Sequence, residues 1–92
     1  MSKVVVTAQV KDPVKWEEGF RTHGDLFRSQ TVTRPINFAT IEGNEVAVCF
    51  EPDDLDTFLQ ILKSPATAEA MDFDGVERET VKVFVLGEQF QI

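Results

Sequence analysis

Histidine is the one residue type that titrates near neutral pH, and this 92-residue chain contains a single copy, His23. It does not stand alone in the pattern. Trp16, Phe20, His23 and Phe27 recur at i, i+4, i+7 and i+11, one stripe at a 3.6-residue period. Gly19 lies on nearly the same face, where a helix-interior glycine costs about 1 kcal/mol relative to alanine. Two readings fit these residues. In the first, Trp16, Gly19, Phe20 and Phe27 wall a small cavity and His23 is a catalytic acid or base toward a mostly apolar ligand. In the second, His23 is a hydrogen-bonded core histidine beside a glycine that permits close packing.

Other reactive types offer less. Cys49 sits in an apolar, strand-like run without a motif that would lower its thiol pKa, so it reads as a small buried hydrophobe. Arg21, Arg28 and Arg34 bracket the histidine stripe. Arg34 could orient the anionic end of a ligand at a cavity mouth, or the three could be surface charges paired with Glu17, Glu18 and Asp25. Asp72-Phe73-Asp74-Gly75 has the start of a calcium loop, but glycine falls at position four and Glu77 at position six. No metal site is expected, and no cofactor is implied. Phosphate-binding glycine loops and Ser/His/Asp sets are missing too.

Composition narrows the classes further. Sixteen acidic against nine basic residues give a net charge of −7, which argues against binding a phosphate backbone. One cysteine rules out an internal disulfide framework, and 42% hydrophobic residues with eight phenylalanines argue against disorder. The N-terminal apolar run is too short for an export signal, so a cytoplasmic location and no membrane partner are expected.

The elements that must position His23 follow from periodicity. Lys3 to Val10 alternates as a strand; Asp12-Pro13 caps and starts a helix expected to run to Phe27 or Arg28. Ile36 to Glu42 and Glu45 to Glu51 read as strands joined by a two-residue turn at Gly43-Asn44. Leu55, Phe58, Leu59 and Leu62 form a second helical stripe behind Asp53 and Asp54, broken and restarted at Ser64-Pro65. Asp74-Gly75 ends that helix, and Thr80 to Leu86 is the fourth strand. The order β-α-β-β-α-β over residues 1–92 predicts one α+β, ferredoxin-like domain, with two helices on one face of a four-stranded antiparallel sheet.

One strand face carries Val4, Val6, Ala8, Val10, Ile36, Phe38, Val46, Val48, Phe50, Val81, Val83 and Val85, enough to seat both helices. The other carries Val5, Thr7, Ala39, Ile41, Ala47, Cys49, Phe84 and Leu86, mostly small or apolar. A second copy packed sheet-to-sheet through Val5, Ile41, Cys49 and Phe84 is the expected cover, and no nucleic acid is expected. Leu86 to Ile92 could cross to that partner.

With Asp12-Pro13 before Trp16, Phe20 and His23, and Ser64-Pro65 with Ala70-Met71 before Gly75-Val76, the chain resembles the dimeric α+β barrel superfamily. That superfamily includes the antibiotic-biosynthesis monooxygenase-like proteins. The resemblance implies a homodimer in which each subunit keeps a cavity between sheet and helices, and activities ranging from cofactor-independent oxygenation to isomerisation. The function expected is binding, and transformation without cofactor, of a small apolar or aromatic molecule in that cavity. The alternative is a non-catalytic regulatory dimer with a closed core.

Overall fold

In the computed structural model, which describes residues 2–92, eight elements follow one another. They are β1 (Lys3–Val10), α1 (Pro13–Phe20), α2 (Gly24–Ser29), β2 (Asn37–Ile41), β3 (Glu45–Phe50), α3 (Leu55–Leu62), α4 (Pro65–Phe73) and β4 (Val76–Leu86). The strands form one sheet in the order β2-β3-β1-β4, with every neighbouring pair antiparallel. This is the ferredoxin-like α+β arrangement.

Helix starts follow the caps. The Asp12 carboxylate accepts from the Val14 and Lys15 amides, with Pro13 in the first turn. Asp54 accepts from Thr57 N–H, and Ser64 from Thr67 N–H ahead of Pro65. Each satisfies an amide that helix geometry leaves without a partner.

The first helix is shorter than its stripe suggests. It stops at Phe20 and resumes at Gly24, so His23 lies at a junction rather than inside one continuous helix. The cause is local. Thr22 N–H and His23 N–H bond to the carbonyls of Gly19 and Phe20, tightening the last turn, and the Thr22 hydroxyl also donates to Gly19 C=O. The strands differ at their ends as well. Ile41 pairs with Glu45, so the hairpin connection takes three residues, with positive φ at Gly43 and Asn44. β4 begins at Val76 instead of Thr80 because its ladder is interrupted: Gln9 pairs with Glu77 but Thr7 with Lys82. The Thr80 hydroxyl fills the gap, accepting from Gln9 N–H at 2.8 Å.

Val4, Val6, Ala8, Val10, Val46, Val48 and Phe50 are buried beneath Trp16, Phe20 and Phe58. Val83 and Val85 stand opposite Val6 and Val4 on that same face, yet are 40% and 45% exposed. The two valines are therefore not the core residues the alternation predicts, because helical cover thins out toward the end of β4. Among the described residues no helix covers the opposite face. Val5, Thr7, Ala47 and Cys49 are half-buried there, while Ile41, Phe84 and Leu86 are exposed.

Candidate functional site

Six aromatic rings run in sequence through the interior: Phe38, Trp16, Phe20, Phe27, Phe50 and Phe58. Successive centroids lie 5.7, 4.9, 4.9, 5.7 and 5.2 Å apart. These are attractive offset or tilted contacts, and they line up because α1, α2 and α3 each present one aromatic face to the sheet. Between the rings and the sheet a cavity of about 80 Å³ remains, walled by Trp16, Phe20, Phe27, Leu26, Met71 and the inward residues of β1, β3 and β4.

Among the described residues, the polar side chains that line this cavity are His23, Asp74, Gln30 and Thr67. Gln30 is 2% exposed and donates through Nε2 to the Thr67 hydroxyl, which pins α2 to α4. His23 Nε2 lies 3.0 Å from Asp74 Oδ2, and the two side chains are 19% and 5% exposed. The pair is made by two element ends: the α1–α2 junction supplies the imidazole, and the residue that caps the C-terminus of α4 supplies the carboxylate.

Asp74 is held at a cost. Its Oδ1 is buried without a hydrogen-bond partner, and its carboxylate sits at the negative end of α4. Burial pushes its pKa above the ordinary value of 3.8, while the charge of His23 and the hydrogen bond from it pull the other way. A carboxyl group whose folded pKa is raised stabilises the fold fully below its unfolded pKa, and that contribution is lost as pH rises through the folded value. The urea midpoint of the native protein, relative to Asp74→Asn, is therefore expected to fall as pH rises above the ordinary carboxylate value of 3.8. Equal pH slopes for the two proteins would show that burial does not govern this carboxylate.

Gly19 is the third member of the arrangement. A Cβ at that position would come within 2.0 Å of Asp74 Oδ1. The room left by the glycine is thus filled by the carboxylate rather than held open for a ligand. Trp16, Phe20, Phe27 and His23 do converge on the cavity, as their spacing predicts. Arg34 does not. It lies outside the lining and bonds to Asp53 Oδ1 at 3.2 Å, beside the start of α3, while Thr33 donates to Oδ2 of the same carboxylate. Cys49 remains on the uncovered sheet face. Asp74 itself is unreadable as a partner in sequence, because Asp-Gly after a helical run already has a sufficient explanation as a helix end.

A roomier groove lies along β4, flanked by Leu59, Lys63, Met71 and Arg78, but its cationic Arg78 is paired with Asp72. The His23–Asp74 pair lines the cavity under the helices and not this groove. Among the described residues no three His, Cys, Asp or Glu side chains group as metal ligands, and no helix is long and apolar enough to cross a membrane.

No protein-family model and no curated protein matches the chain. Solved structures do. SnoaB, a cofactor-independent oxygenase from Streptomyces nogalater, superposes with a TM-score of 0.69 at 16% identity, over 99% of this chain and 95% of that one. A protein from Bordetella bronchiseptica, described as a candidate antibiotic biosynthesis monooxygenase, gives 0.73 at 11% identity over 97% of each chain. The chain has the fold of the antibiotic-biosynthesis monooxygenase domain. The Arabidopsis thaliana protein At3g17210 is also similar, with a TM-score of 0.68 at 15% identity over 100% of this chain and 99% of that one. A shared fold shows architecture alone; chemistry has to be argued from the side chains that line the cavity.

Proposed function

We propose that this protein binds a small, largely apolar molecule in the cavity between sheet and helices, and that His23 exchanges a proton with it. The observation that carries this reading is the single titratable pair, His23–Asp74, set into an aromatic and aliphatic lining. A neutral imidazole takes a proton from an acidic C–H or O–H of the bound molecule. The adjacent carboxylate stabilises the imidazolium, and the proton is returned to the product. Among the described residues no lysine or arginine lines the cavity, so an anionic ligand end has no permanently charged partner there. Transformation runs without a bound cofactor in this reading; the oxygenase from Streptomyces nogalater, of similar fold, is described as cofactor-independent. A second copy of the chain covers the apolar sheet face.

The rival is a non-catalytic dimer with a closed core. It is favoured by the hydrogen bond that already occupies His23 and by the modest size of the cavity. Thermal denaturation with indole and with phenol as probes separates the two. A probe at about 100 times its Kd stabilises by about 2.7 kcal/mol, a shift in Tm of roughly 10 °C or more for a domain of this size. His23→Ala is expected to keep that shift and to lose catalysed deuterium exchange into an acidic C–H of 2-indanone. Absence of any shift across apolar probes would favour the closed dimer.

A further inference from the structure

We infer that Gly19 and Asp74 act together as positioning residues that dedicate Nδ1 of His23 to the ligand. The functional side of this inference rests on the cavity reading above; the geometric side does not. With Asp74 ionised, the carboxylate has no hydrogen to give, and at the 3.0 Å contact Nε2 carries the hydrogen and donates it to Asp74 Oδ2. The remaining ring nitrogen, Nδ1, then holds a lone pair and has no hydrogen-bond partner among the described residues. It is the atom free to take a proton from a bound molecule.

What permits the carboxylate that orientation is the space beside Gly19 that its other oxygen occupies. Asp74 Oδ1 is buried, has no polar partner and lies where the Cβ of any other residue at position 19 would be. Two unfavourable choices therefore meet at one point. A glycine stands inside α1, and an unsatisfied carboxylate stands at the end of α4. Neither helps its own helix. Alanine at position 19 with an apolar residue at position 74 would relieve both, at the cost only of the imidazole's partner. Local rules broken in company around one titratable group are characteristic of a site held for chemistry.

The experiment is proton NMR of the ligand-free protein, following the imidazole N–H resonance that a hydrogen bond to carboxylate moves far downfield and protects from exchange. The native protein is expected to show this resonance and to assign it to Nε2–H. Gly19→Ala is expected to lose it while the dispersed methyl spectrum persists. Survival of the resonance in Gly19→Ala, its absence from the native protein, or its assignment to Nδ1–H would each overturn the inference. Should Gly19→Ala fail to fold, the double variant decides. The Gly19→Ala substitution is expected to lower Tm with Asp74 present and to raise it in the Asp74→Ala background, where the clash is gone and the helix preference for alanine remains. The same sign in both backgrounds would overturn the inference. Because every readout is taken without ligand, failure of the apolar probes to bind counts against the cavity reading alone.

Discussion

Val5→Asp is expected to convert a dimer into a folded monomer. Val5 stands in the middle of the uncovered face, opposite Cys49 on β3 and Phe84 on β4. A two-fold axis would bring the same position from both copies into one interface, so each substitution adds two carboxylates. Burying an unpaired charge costs several kcal/mol, and about 4 kcal/mol corresponds to three decades in Kd. Within one chain the same side chain is only half-buried, so the fold itself loses far less. Sedimentation equilibrium at about 10 µM should therefore report a dimer for the native chain and a monomer for the variant, with similar far-UV circular dichroism. A native chain that sediments as a monomer would remove the second copy from the functional reading.

Phe58→Ala is the substitution expected to cost most in stability. Phe58 is fully buried at the end of the aromatic series, 5.2 Å from Phe50. Truncating a buried phenylalanine costs about 3–5 kcal/mol, against about 5–15 kcal/mol for the whole stability of a domain. Urea unfolding should show a lower midpoint at unchanged slope. Phe73→Ala is the control: that ring is 77% exposed, and its loss should stay within about 0.5 kcal/mol. A Phe58 variant no weaker than the Phe73 variant would mean that the core is not organised around this ring.

The parts of the fold that sequence shows clearly are those set by near neighbours. Asp12-Pro13, Asp54 and Ser64-Pro65 start helices because a cap needs only the amides two or three residues ahead. Alternation in β1 and β3 survives intact because both are inner strands with helices above. Legibility fails where a distant group decides. Glu77, Arg78 and Glu79 read as a loop, yet they belong to β4 because Gln9, far upstream, supplies pairing and a donor for Thr80. The break at residues 21–23 leaves no proline to mark it. The site shows the same division. Trp16, Phe20, Phe27 and His23 are legible as a stripe, whereas Asp74 joins His23 across 51 positions. Gly19 is a visible anomaly in the sequence, but its explanation lies in that same distant carboxylate.

Strand order carries a consequence for the time course of folding. β1 occupies the middle of the sheet, and one of its two flanking ladders belongs to β4, with Val4 opposite Val85, 81 positions downstream. During synthesis β1 can pair with β3 when that hairpin appears, but its other edge stays open until β4 has emerged. Pairings this far apart must close a long loop before they return any energy, which slows folding. An unfinished chain therefore exposes the Val4–Val5–Val6 edge to its neighbours on a polysome. Unpaired strand edges of this kind are where incomplete chains aggregate.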